Sequence, residues 1–157
     1  MPVRVCFICL GNICRSPTAE GVFRKMVADA GLEDRIRADS AGTHAYHIGE
    51  PPDRRAMAAA DRRGISLEGI TARRVTDTDF EQFDHILAMD EDNLQSLLDS
   101  ADDQFHGKVR LFMEYAASSR GRDVPDPYYG GSAGFERVLD LVEEASSALL
   151  EGIRKAL

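Results

Sequence analysis

The first thirty residues constrain the fold more than any other stretch. Residues 3–8 (VRVCFI) form a β-prone apolar run that reads as a buried strand. Gly11 breaks the pattern, and Ser16-Pro17 predicts the start of a helix with proline at its first position. Ala19, Val22, Phe23, Met26, Val27 and Ala30 then recur at three- and four-residue spacing, marking one buried helical face that Gly31 ends. A strand, a tight loop and a helix in this order open an α/β domain, because a buried parallel sheet needs helices to cover it.

The alternation continues more weakly. Strands are expected at 36–40, 85–89 (HILAM) and 109–113, and helices at 54–63, from Asp90 as N-cap through Leu98, and at 133–156. The last helix carries Phe135, Val138, Val142, Ala145, Leu149 and Ile153 on one face. Thr78-Asp79-Phe80-Glu81 reads as a capping box for a short helical turn. The longest irregular stretch is 118–132, and a loop of that length in a compact domain is often functional. No repeat or linker divides the chain, so its 157 residues are expected to form a single domain.

A formal net charge of −8 argues against a general nucleic-acid or anionic-membrane partner, both of which need excess Lys and Arg. The apolar run near the N-terminus is short and has no small-residue cleavage site, and no segment approaches a spanning length. The expectation is a cytoplasmic protein. All three cysteines (Cys6, Cys9, Cys14) crowd into the first tenth of the chain, a poor disulfide framework. The histidines (His44, His47, His85, His106) lack ligand spacing, so no metal is predicted. Cys6 and Cys9 form C-x-x-C, but within a strand they point to opposite faces.

The segment Cys9-Leu10-Gly11-Asn12-Ile13-Cys14-Arg15-Ser16 places an arginine six positions after a cysteine, then a hydroxyl. Such an arc can curl so that successive backbone N–H groups face one oxyanion. Gly11 and Asn12 suit the tight or left-handed dihedrals this needs. Arg15 supplies a planar fork for two phosphate oxygens, and the helix N-terminus adds favourable potential. The same surroundings favour the thiolate of Cys9, to which Ser16 can donate a hydrogen bond, making Cys9 the expected nucleophile. An ester's leaving group also needs a proton. Asp126, in Val124-Pro125-Asp126-Pro127-Tyr128-Tyr129, has two prolines to fix its loop and two aromatics to wall a pocket; Asp123 is the alternative acid.

The string CLGNICRSP at the end of a first strand resembles the signature of low-molecular-weight protein tyrosine phosphatases, and the likeness runs from Val3 to the last helix. The resemblance implies a three-layer fold with a four-stranded parallel sheet in order 2-1-3-4. It implies hydrolysis of phosphotyrosine and small aryl phosphates through a phosphocysteine on Cys9, without metal or organic cofactor. Arg15 and the N–H groups of Leu10, Gly11, Asn12, Ile13, Cys14 and Ser16 would bind phosphate, and Asp126 would act as general acid and then base. Tyr46 aligns with an aromatic wall position, beside Tyr128 and Tyr129 from the loop. Ser40 would brace Asn12, Asp90 lies in a stretch near the family's active site, and Cys14 could pair reversibly with the nucleophile. Phosphotyrosine proteins are the implied partners of a monomer or weak homodimer. One departure stands out: many members have a His before the Ala-Arg pair that bonds a serine behind the loop, where this chain has Ile70.

Two other functions fit parts of the pattern. A thiol-dependent arsenate reductase shares the fold and loop but relays electrons through later cysteines, and no Cys follows Cys14. A non-catalytic phosphotyrosine-binding module would normally lack the nucleophile, the arginine or the acid, and all three are present.

Overall fold

The computed structural model describes residues 1–117, 123–128 and 131–157. Strands β1 (Val3–Cys9), β2 (Ile36–Gly42), β3 (His85–Ala88) and β4 (Val109–Leu111) form a parallel sheet in the expected order, β2-β1-β3-β4. The strand period of two sorts β1 between two cores. Val5, Phe7 and Cys9 face a cluster built with α1 (Arg15–Asp29), α2 (Arg54–Asp61) and α5 (Ser132–Ala156). Cys6 and Ile8 face the opposite cluster, closed by Phe80 of α3 (Asp77–Gln82) and Leu97 of α4 (Glu91–Ser100). The two cysteines of C-x-x-C thus lie on opposite sides of the sheet.

Phe7 sets the main core. Its ring meets Phe23 of α1 and Phe112 edge-on, with centroids 5.6 and 5.1 Å away. These edge-to-face pairs tie the first strand to the helix that follows the loop. Because β1 is central and α1 lies on its face, the loop between Cys9 and Arg15 is held at both ends by buried structure.

Several boundaries differ from the sequence reading, and three of the differences have a clear physical cause. Helix α1 begins at Arg15, with Cys14 as N-cap residue, so Pro17 is its third residue and not its first. The capping box of α3 is formed by Thr76, not Thr78. Asp79 lies three residues after Thr76, the spacing the reciprocal bonds require, and its Oδ2 accepts from Thr76 N at 2.7 Å. The fourth strand stops at Leu111, because residues Phe112–Tyr115 tighten into a 3-10 turn that buries Phe112 and Met113. A further 3-10 turn, Asp103–Lys108, precedes that strand and had no clear sequence signal. Among the described residues, no helix is long and apolar enough to cross a membrane.

Candidate active site

The carboxyl ends of β1, β2 and β3 converge on one edge of the sheet, where open α/β sheets bind ligands. A cavity of about 370 Å³ opens there. Its walls include Cys9, Leu10, Gly11, Ile13, Cys14 and Arg15 from the loop, Tyr46 and His47 after β2, and Asp126 and Tyr128 from the distant proline-bounded loop.

The loop's backbone is oriented by what its carbonyls do. Those of Cys9, Leu10, Ile13 and Cys14 accept from Thr43, His44, Asp53 and Thr18 N–H groups respectively, at 2.7–3.3 Å. Among the described residues, the N–H groups of Gly11 through Cys14 donate to no protein acceptor. The outward bonds leave a run of amide donors for a ligand, the nest expected of this arc. Asn12 takes the left-handed conformation (φ 58°), while Gly11 does not. Gly11 is needed for a different reason: a Cβ there would sit 2.9 Å from His47 Cδ2.

Side-chain bonds clamp the same loop. Cys9 Sγ lies 3.0 Å from Ser16 Oγ, and Asn12 Nδ2 donates to Ser16 Oγ at 2.8 Å and to Ser40 Oγ at 3.0 Å. Asn12 and Ser40 are thus directly bonded behind the loop. Asn12 Oδ1 accepts from Arg73 N–H at 3.0 Å. Ile70, at the departure position, packs into the main core. Ser40 donates its hydroxyl hydrogen to Glu20 Oε1 at 2.7 Å.

Arg15 is only 3% exposed. Its NH1 donates to Asp90 Oδ2 at 2.6 Å and to the Val124 carbonyl at 3.1 Å, and its NH2 lies 3.6 Å from Asp126 Oδ2. Burial opposes its charge, yet Cys9 and the Asp90 hydrogen bond hold its pKa above the usual arginine value. Asp90 has two jobs, since its other oxygen caps α4 by accepting from Asn93 N–H at 2.7 Å. The three cysteines are all free thiols. Burial pushes Cys14 well up, reinforced by Asp53, and burial does the same to Cys6 against the pull of Arg73.

The two acid candidates separate cleanly. Asp123 Oδ1 accepts from Glu91 N–H at 3.0 Å and supports the start of α4. Asp126 lines the cavity, and its Oδ1 accepts from Tyr128 N–H at 3.0 Å. Tyr46 and Tyr128 both line the cavity, and Tyr46 stacks on His44 with centroids 5.2 Å apart. Tyr129 lies outside the described residues.

Sequence reasoning missed two neighbours. His47 enters the cavity wall, with Nδ1 2.6 Å from Glu50 Oε2. Arg55 of α2 stacks over the rings of Tyr128 (5.6 Å) and Phe135 (4.8 Å) and donates to the Tyr128 carbonyl. Neither belongs to a local pattern. Gly11 was the only hint of His47, because a glycine can mark a close approach by another side chain. Among the described residues, no group of three or more His, Cys, Asp or Glu side chains is arranged to hold a metal.

Comparison with known proteins agrees with this geometry. The family model for low molecular weight phosphotyrosine protein phosphatase matches residues 4–157. A low molecular weight protein-tyrosine-phosphatase of Bacillus subtilis, YfkJ, is 44% identical over 153 residues, covering 98% of this chain and 97% of its own. A protein tyrosine phosphatase from Entamoeba histolytica, crystallised with Hepes in its active site, superposes with a TM-score of 0.94 at 40% identity, covering 98% of both chains. Vibrio vulnificus Wzb, solved in complex with benzylphosphonate, superposes with a TM-score of 0.85 at 29% identity, covering 97% of this chain and 99% of its own. Sequence, fold and the loop between β1 and α1 thus place the chain in the low molecular weight phosphotyrosine protein phosphatase family, a family of hydrolases.

Proposed function

We propose that this chain hydrolyses phosphotyrosine in protein substrates, and small aryl phosphates, by way of a phosphocysteine on Cys9. The observation that carries the reading is the placement of Cys9, Arg15 and Asp126 around one cavity whose floor is a run of uncommitted backbone donors. The Arg15 fork and those N–H groups hold three phosphate oxygens, which directs the phosphorus at the Cys9 sulfur. The thiolate forms an S–P bond as the ester P–O bond breaks. Asp126, in its acid form, gives its proton to the departing phenolate oxygen. Water then attacks phosphorus, Asp126 takes its proton, and the S–P bond breaks to release phosphate and the thiolate.

The depth of the sulfur sets the substrate class. Cys9 is 2% exposed at the base of a cavity with Tyr46 and Tyr128 in its wall, which suits a long flat aryl ester better than a short alkyl one. The benzylphosphonate held by Vibrio vulnificus Wzb has the same aryl-and-phosphoryl shape. Chemistry that depends on a free thiol suits a reducing compartment, so we assign its action to the cytoplasm.

The direct test is hydrolysis of p-nitrophenyl phosphate from pH 4 to 9 with EDTA present. Cys9→Ser should abolish turnover, and Asp126→Ala should lower kcat by roughly 10²–10³-fold, the scale of general acid catalysis. A folded, reduced wild type that binds phosphate without turnover would defeat the hydrolase reading and leave a binding module.

A further inference from the structure

Hydrogen atoms can be counted along the chain of bonds that ends on the Cys9 sulfur. Arg73 N–H donates to Asn12 Oδ1 and so fixes which way the amide faces. Both Nδ2 hydrogens are then committed, one to Ser16 Oγ and one to Ser40 Oγ. Each hydroxyl has one hydrogen of its own. That of Ser16 is left for the sulfur, 3.0 Å away, and that of Ser40 goes to Glu20 Oε1 at 2.7 Å. Glu20 lies one helical turn after Ser16 on α1, is 2% exposed and does not line the cavity. Its second oxygen accepts from Arg24 NH2 at 2.7 Å.

A carboxylate in this position is costly to bury. Desolvation pushes the Glu20 pKa up, against the Ser40 hydrogen bond and Arg24. An apolar side chain would fill the space without that cost. What only an acceptor provides is a destination for the Ser40 hydrogen. Without one, the hydroxyl must turn, and its alternative direction meets the hydrogens of the Asn12 amide.

We infer that Glu20 is a positioning residue: by accepting the Ser40 hydrogen it keeps Ser40 Oγ an acceptor for the Asn12 amide, which Arg73 N–H orients from the other side, and so supports the bond that leaves Ser16 donating to the Cys9 sulfur. The inference rests on Cys9 being the nucleophile of the proposed reaction. It acts through Asn12, whose left-handed backbone leaves the loop dependent on side-chain bonds. Arg24 is more than half exposed and can turn to solvent, so the Ser40 bond, and not the ion pair, is the part that transmits.

Carboxymethylation of Cys9 by iodoacetate at pH 7 tests this on the full chain, with mass spectrometry to assign the site and thermal melting to report folding. Alkylation reads the state of the sulfur and needs no turnover. A wild type that alkylates rapidly but does not hydrolyse would sink the phosphatase reading and leave this one intact. Glu20→Leu should slow alkylation by about fivefold, while Glu20→Gln, which keeps a carbonyl acceptor, should stay within about twofold of wild type. Ser40→Ala should slow alkylation as Glu20→Leu does, and the double variant should be no slower than either. Wild-type alkylation rates in Glu20→Leu, or equal losses in the leucine and glutamine variants, would overturn the inference. Should Glu20→Leu fail to fold, Ser40→Ala decides: an unchanged rate there overturns it as well.

Discussion

The two halves of the candidate site are built on opposite plans. The loop between β1 and α1 is cross-braced from behind: Asn12, Arg15 and Ser16 are each at most 3% exposed, and every outward carbonyl noted above has a donor. The opposite wall is open. Tyr46 is 66% exposed, and Asp126 is more than a third exposed with its carboxylate tied to the backbone of its own loop. On the proposed function, the half that meets an invariant ligand, a phosphoryl group, is the half cross-braced by directed bonds. The half that meets the rest of a substrate is held by few bonds and can adapt. Substitutions in the loop should therefore act on chemistry and stability together, and those in the wall, the proposed acid Asp126 apart, on apparent affinity alone.

Arg15→Lys should have the largest effect. Arg15 spends NH1 on Asp90 and Val124, and the proposed function gives the rest of its planar fork to phosphate. An ammonium cannot make both sets of bonds from one point. Steady-state kinetics should show kcat/KM lower by about 10³-fold, the scale of losing a donor to developing charge.

Cysteine labelling separates Cys9, the proposed nucleophile, from its neighbours. Exposure is nearly the same for Cys6, Cys9 and Cys14, at 0%, 2% and 5%, so access alone does not rank them. Burial raises the pKa of Cys6 and Cys14, which means both keep their protons at neutral pH and ionise only in strongly alkaline solution. At pH 7, iodoacetate should label Cys9 about 10²-fold faster than either, and phosphate should protect it. Labelling of Cys14 should appear only as pH rises far above neutral. Equal labelling at pH 7 would contradict the contrast between the loop's thiols.

Asn12→Ala tests the bracing itself. It removes bonds to Ser16, Ser40 and Arg73 N–H and leaves an alanine in a left-handed conformation. Leaving buried partners unsatisfied, together with the backbone cost, predicts a loss of about 3 kcal/mol in urea denaturation.

Much of this plan was legible in the sequence because it is local. Nine consecutive residues encode the loop, its cysteine and its arginine, and two prolines mark the loop of Asp126. The strand order followed from resemblance, and the sheet bears it out. What was hidden depends on contacts between distant segments. His47 reaches the cavity because Gly11 makes room, and Asp123 turns to α4 because Glu91 N–H is there. Glu20 carries no signal in the sequence, and only the packing of α1 turns it inward to Ser40, 20 residues away. The expectation of Thr78 as cap failed for a narrower reason. Thr76 and Thr78 both precede acids, and only the backbone conformation of Thr76, extended at φ −124° and ψ 166°, decides which is the N-cap.

Tyr46→Ala sharpens the comparison from the weak side. The ring is exposed and, among the described aromatic side chains, stacks only on His44. Stability should stay within about 0.5 kcal/mol of wild type, as for other surface substitutions. KM for an aryl phosphate should rise about threefold, the worth of one aromatic contact, with kcat unchanged. Tyr46→Phe should restore KM, because the ring and not the hydroxyl supplies the wall. A fall in kcat instead would mean that this wall helps set the geometry of the transition state, and the division between a rigid chemical half and an adaptable binding half would have to be redrawn.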